Sequence, residues 1–443
     1  MPQAAKGGHL EIIQWAKDNG CLLNNWTVNY AAEHGHLHIL KWALDNGCKL
    51  NASVFAFGAA SGSLEIVTWL LANKCPWDTY TIGEAAKAGH LHIVKWLHTK
   101  GCPWDESTCS AAASGGHLPV LQWLRENGCP WDVETCNAAA EIGNLELVKW
   151  IYQCGLSGNK YACSSAAAIG NLSILQFLRE NNCPWNQDTI LQAAASGHLE
   201  IIKWARANGC KWDSEACAYA ASGGHLDTLK WLREQGCPWD ASTTFNAAQR
   251  DKFEIVKWAA SNGCAVDKNI AIVASQVGNF EMLQWALEQG CEVDEFACAG
   301  AAGIGSLKIL RWLRERGCPW NKDTADRAVQ SNSLKTLKWV HENGCPWDQV
   351  TFVHACRNGY LPILQYLKDN GCRWSKNACK EAAYYGKLEV LQWLRANGCP
   401  WEEDTLVSSI NGSKWHVTKW CLENGCPTPE QQQKLLKNMQ TPK

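Results

Sequence analysis

The chain has no apolar run approaching the roughly 18–20 residues needed to span a bilayer, and its first residues carry no apolar signal region. No membrane association is therefore expected. It has little excess of either charge: 41 Lys and Arg stand against 43 Asp and Glu, a net charge of −2. Such a balance exerts no overall pull on nucleic acid or anionic lipid, so no nucleic-acid partner is expected. The motifs of common enzymes are also missing. There is no phosphate-cradling glycine loop followed by Lys-Ser/Thr, no nucleophile elbow and no His-Glu-x-x-His. No segment reads as a strand of useful length. These absences lead us to expect an all-α protein that is not an enzyme, with no cofactor and no small-molecule substrate.

What is present is one pattern, repeated. From Gly8 to Cys426 a unit of 27 residues recurs sixteen times without a gained or lost residue, as in GHLHIVKWLHTKGCPWDESTCSAAASG from Gly89 to Gly115. We number the unit from that first glycine. A fixed period of this length marks a stack of identical supersecondary units, a solenoid, and points to a long binding surface.

Each unit reads as two helices. In positions 3 to 12, here Leu91, Ile93, Val94, Trp96 and Leu97, apolar residues three and four apart form one stripe. Position 4 is usually acidic, as in Glu11, Glu65 and Glu200, or proline, as in Pro119 and Pro362. Both suit the first turn of a helix, which we call B. Position 13 is glycine except at Lys74 and Asn182, and position 1 is glycine except at Asp251, Asn332 and Ser413. Both are expected to be left-handed helix ends. After the Cys-Pro-Trp-Asp turn, the Asp or Asn at position 17 (Asp78, Asp105, Asp132, Asp213, Asp240, Asp348, Asn186, Asn321) is expected to cap a second helix, A, reaching about position 26. Position 24 is alanine apart from Gly58 and Ser409, which implies close approach of another backbone.

Two further columns carry the unusual composition. Cysteine fills position 14 in every copy but one, where Leu156 stands, and recurs at position 21. Neighbouring position-14 residues are expected to lie one repeat apart, roughly 10 Å, too far for a disulfide. We read these cysteines as reduced, buried small hydrophobes in an intracellular, cytoplasmic protein. Position 8 is aromatic throughout and position 16 is tryptophan in ten copies, with Leu23, Leu50, Val266 and Val293 among the exceptions. Aliphatic replacement favours two ribs of core over stacking ladders for a ligand. Histidine recurs at position 2 (His9, His36, His90, His117, His198, His225), but other residues replace it where the cysteine remains. A structural histidine is expected, not zinc.

The paired alanines (Ala85-Ala86, Ala112-Ala113, Ala220-Ala221) and the string from Gly197 to Lys203, GHLEIIK, resemble the ankyrin repeat. The usual ankyrin unit has about 33 residues, and this one lacks about six of them, the projecting β-hairpin finger. The resemblance implies about sixteen stacked, finger-less hairpins and a protein-binding scaffold. It also implies that variable residues beside the paired alanines line a concave surface. Positions 19, 22, 23, 26 and 27 vary freely, and the second half is richer in residues typical of binding hot spots. The expected partner contact is therefore the helix A face of residues 245–390, namely Phe245, Gln249, Arg250, Arg327, Gln330, His354, Arg357, Lys380, Tyr384 and Tyr385. The partner is expected to be a protein of acidic or polar character, bound by a monomer. The alternative is a metal- or redox-responsive protein using the cysteine columns.

Residues 1–426 are expected to form the array. In CGLSGNK, from Cys154 to Lys160, the turn tryptophan is lost and glycine enters, so a weak joint is expected at residues 154–160. Residues 427–443 are expected to form a capping helix and tail. The chain starts inside a helix A, which suggests a trimmed parent or an internal start.

Overall fold

The computed structural model describes residues 1–18, 23–375, 377–412 and 414–427. Cys21, Ser413 and nearly all of the expected capping helix at 427–443 lie outside them. Among the described residues the chain is all-helical, with 32 helices and no strand, in a helical-repeat solenoid. It divides into two compact units, Met1–Pro238 and Trp239–Lys443.

In both units the same pair recurs. Helix A, as in Glu106–Ser114, and helix B, as in Leu118–Glu126, are each nine residues long. The Asp105 carboxylate accepts from the Ser107 amide, and the Thr108 hydroxyl oxygen accepts from the Asp105 amide. Pro119 and Pro362 sit in the first turn of their B helices. Asn186 departs from the expected capping pattern. Helix Asp188–Ser196 begins one residue late with Gln187 at its cap, and the Asn186 amide donates instead to Asp188.

The turn geometry follows the exceptions as closely as the rule. Lys74 (φ 55°), Asn182 (φ 59°), Asp251 (φ 55°) and Asn332 (φ 53°) keep the left-handed backbone that glycine adopts in the other copies. The close approach at position 24 is different from that expected. A Cβ on Gly58 would come within 2.9 Å of the Ile66 and Leu70 side chains, so the crowding comes from helix B of the same hairpin rather than from a backbone. Backbones approach closely at position 27 instead. A Cβ on Gly115 would meet the Lys87 carbonyl, the end of the preceding helix A, at 2.0 Å.

The core is narrower than the sequence stripe. Helix B buries Ile93, Val94 and Leu97 and their equivalents, while helix A buries positions 20, 21, 24 and 25, such as Thr108, Cys109, Ala112 and Ala113. The two tryptophan rows are not core ribs: the described tryptophans of both rows are half-buried or exposed. Most turn rings meet the position-8 ring of the next repeat edge-on, as Trp131 meets Trp150 at 5.9 Å and Trp239 meets Trp258 at 5.9 Å. Arginine at position 10 covers the turn ring, with the Arg206 guanidinium 4.3 Å from the Trp212 ring centre and its Nη1 on the Cys210 carbonyl at 3.2 Å. Each row is therefore a laced outer edge held by ring–ring and cation–π contacts, each worth about 0.5–1.5 kcal/mol.

The thiols, in contrast, are buried and free. Among the described cysteines only Cys154 is exposed and Cys48 partly so. Position-14 thiols donate to the carbonyl of the capping residue one repeat back: Cys75 to Asn51 at 3.2 Å, Cys183 to Asn159 at 3.3 Å, Cys345 to Asn321 at 3.3 Å. Histidines at position 2 bond to the end of the preceding helix A, His90 to the Ala60 carbonyl at 3.0 Å and His198 to Ala168 at 3.1 Å. Both columns are thus explained by backbone groups they satisfy across repeats.

Candidate partner-binding site

The variable positions of helix A lie beside the alanine core and face away from helix B. In the second unit four consecutive A helices, Ile270–Val277, Glu295–Gly303, Lys322–Gln330 and Gln349–Asn358, line up this face. They enclose a groove of about 700 Å³. Its lining includes Gln276, Phe296, Gly300, Gly303, Asp323, Asp326, Arg327, Gln330 and His354. Three of the expected contact residues, Arg327, Gln330 and His354, are therefore brought together here.

The glycines shape the groove. A Cβ on Gly300 would lie 2.6 Å from the Gln276 side chain, and one on Gly303 would reach the Arg327 stem at 3.7 Å. Larger residues at either position would fill it. Phe296 presents its ring with 55% of its surface exposed. Arg327 and Gln330 are exposed at the rim, with Arg327 Nη1 3.4 Å from Gln330 Oε1. At the floor lies Asp326, 8% exposed, its Oδ1 accepting from the Thr351 hydroxyl at 2.5 Å. Burial raises its carboxyl above the usual range, against the Thr351 bond and the nearby His354.

The other expected residues are arranged otherwise. Arg357 is engaged within the chain: its guanidinium meets Glu381 Oε2 at 3.1 Å and lies 5.3 Å from the Tyr385 ring centre. Tyr384 and Tyr385, both exposed, touch edge-on at 5.1 Å, and Lys380 pairs with Asp404 at 3.5 Å. Phe245 is half-buried and Gln249 and Arg250 are exposed at helix Ala241–Gln249, outside the groove lining.

Sequence reasoning missed Asp326, Asp323, Phe296 and Gln276. All occupy variable positions of helix A, and Asp326 is the one carboxylate in a position-22 column otherwise filled mainly by small, apolar or amide residues. That contrast was the available signal. The first unit has a smaller groove of about 360 Å³ lined by Tyr80, Glu84, Lys87, Glu134, Asn137 and Glu141 among others. There the buried Asn137 amide has no hydrogen-bond partner for either polar atom. Among the described residues no group of three or more His, Cys, Asp or Glu could hold a metal ion, and no helix is long and apolar enough to cross a membrane.

Residues 190–233 match the family model for ankyrin repeats (many copies). No curated protein matches the chain. Among solved structures, it is similar to the pentatricopeptide repeat protein PPR10 in complex with an 18-nt psaJ RNA element, at 11% identity and a TM-score of 0.38, covering 95% of this chain and 88% of that one. It is also similar to PPR10 from maize, at 13% identity and a TM-score of 0.33, covering 97% and 84%. The expectation that nucleic acid is excluded as a partner is corrected here, since a solved helical-repeat chain that aligns with this one holds RNA. The physical reason is that net charge sums over the whole surface and does not report what one face presents. That likeness, at such identity and score, says nothing more about this chain. The matched segment is similar to ankyrin repeats and lies within a run of equivalent helix pairs, one to each 27-residue unit.

Proposed function

We propose that the chain is a non-enzymatic scaffold that binds a protein partner on the helix A face of its second unit. The observation that carries this reading is the groove between residues 276 and 354, where variable positions of four A helices converge on an otherwise uniform frame. The frame positions hold backbone geometry and core, so substitutions in them are constrained by folding. The variable positions are free of that duty and can be set by a partner. Exposed aromatic and arginine side chains beside a concavity of this size suit recognition of a peptide or loop. The buried free thiols fit a reducing, intracellular setting.

The test is selection of a random peptide library against the full chain, followed by photo-crosslinking of the selected peptides. Cross-links at helices Glu295–Gly303, Lys322–Gln330 and Gln349–Asn358, with affinity reduced by Arg327→Ala, are expected. An empty selection, or cross-links confined to the tryptophan edge, would overturn the reading.

A further inference from the structure

We propose that the groove receives a positively charged side chain, arginine or lysine, from the partner, with Asp326 as its counter-ion, in place of the acidic or polar character expected from the sequence. This rests on the reading of the helix A face as the partner-binding surface, and it names the chemistry that face selects.

A carboxylate removed from water is strongly destabilised unless paired and hydrogen-bonded. Asp326 is 8% exposed and receives one hydroxyl bond, from Thr351. Among the described residues no Lys, Arg or His nitrogen lies within ion-pairing distance of it. His354 lies near enough to favour the charged carboxyl but forms no ion pair with it, while Lys322 pairs with Asp348 at 3.0 Å and Arg357 with Glu381. Arg327, adjacent in sequence, points to the rim and Gln330. The groove floor thus offers a buried carboxylate whose compensation by a full positive charge is lacking within the chain.

The rest of the lining fits the same guest. Asp323 adds a second, exposed carboxylate. The exposed Phe296 ring supplies a face for a cation. A volume of about 700 Å³ accommodates a long basic side chain together with the backbone that carries it. Arg327 and Gln330 at the rim are placed to bond that backbone. A phosphate group would instead sit between Asp323 and Asp326, which repel it.

The experiment uses the full chain and the peptides selected on it. Peptides sharing a fixed Arg or Lys are expected. Replacing that residue by citrulline, or by acetyl-lysine, should weaken binding at least about tenfold, and Asp326→Asn should do the same while preserving helicity and cooperative melting. The peptide-side replacement tests the idea even if the protein variant folds poorly. Peptides that cross-link to the groove yet carry no basic residue, or that bind Asp326→Asn equally well, would sink this inference and leave the scaffold reading standing. No peptide at the groove would sink both. A random single-stranded RNA pool retained at the groove in competition with the peptides would also overturn it.

Discussion

The Cys298 thiol donates to the Cys318 sulfur across 3.4 Å, and Cys318 in turn bonds to the Asp294 carbonyl at 3.2 Å. Position 21 of one repeat thus meets position 14 of the next. The same pairing couples Cys109 with Cys129, Cys163 with Cys183 and Cys379 with Cys399. The hydrogen bond to its partner sulfur, and burial after it, push Cys298 well above the ordinary thiol range. Burial first, and nearby carboxylates after it, push Cys102, Cys345 and Cys372 up to about 12. Thiolate is the reactive form, so these groups stay inert near neutrality, and their partner sulfurs, such as Cys183 and Cys318, which the same hydrogen bond holds below the ordinary thiol range, are shielded by burial. Alkylation of the native protein at pH 8 should modify Cys154 first and Cys48 more slowly, and the other described cysteines only after unfolding. Mass spectrometry of the labelled peptides reads this directly. Rapid native labelling of Cys298 or Cys345 would favour a redox-responsive protein over a scaffold.

At the copy that has Gly158 in place of the turn tryptophan, Tyr152 fills the space. Its hydroxyl accepts from the Gly158 amide at 3.0 Å, and its ring meets Phe177 edge-on at 5.4 Å, as a turn tryptophan meets the next position-8 ring elsewhere. A Cβ on Gly158 would lie 3.0 Å from the Cys136 sulfur, so the glycine is needed for this filling. The weak joint proposed at residues 154–160 therefore hangs on one side chain. Tyr152→Ala should cost about 2–4 kcal/mol and lower hydrogen-exchange protection across residues 140–175. Tyr152→Phe should cost about 1 kcal/mol, the worth of the lost hydrogen bond. Equal protection in Tyr152→Ala and the parent would remove the joint.

Asp326 links the groove to stability. Its folded carboxyl is raised, first by burial and then by Asp348 and Asp323, with Thr351 and His354 opposing. The folded state therefore holds that proton more tightly than the unfolded chain does. Stability from this group is present below the ordinary carboxylate range and falls as pH rises through the raised value. Asp326→Asn removes the loss and can still accept from Thr351. It should be more stable than the parent at pH 7 by about 0.5–2 kcal/mol, and the gap should close on acidification. Thermal melts at pH 7 and pH 4 measure both. A less stable variant at pH 7 would mean that the carboxylate is already compensated within the chain.

Lys74 holds a left-handed backbone at φ 55° where most copies have glycine. The side chain costs about 1–2 kcal/mol there, while glycine adds about 0.5–1 kcal/mol of unfolded-state entropy. Lys74→Gly should therefore gain roughly 0.5 kcal/mol, and Asn182→Gly less, since asparagine tolerates this region better. Urea unfolding would check the order. A loss on Lys74→Gly would show that the lysine side chain contributes contacts that outweigh the strain.

The sequence alone determined the period, both helices of each unit, the left-handed turns and most of the caps, because these are local: hydrogen bonds and backbone angles within a few residues dictate them. It also singled out the variable face of helix A, because positions excused from core and cap duty are visible as variation. Tertiary structure decided what depends on neighbouring repeats. The tryptophan rows are half-buried because they lie on an outer edge, laced only by single rings and guanidinium groups of adjacent residues, which no column of one chain can announce. The thiol pairs, and the filling of the Gly158 site by Tyr152, arise between residues 20 and six positions apart whose meeting is set by stacking. Likewise Asp326 reads in sequence as one exposed variable residue; its burial and lack of a cation exist only once three helices close around it.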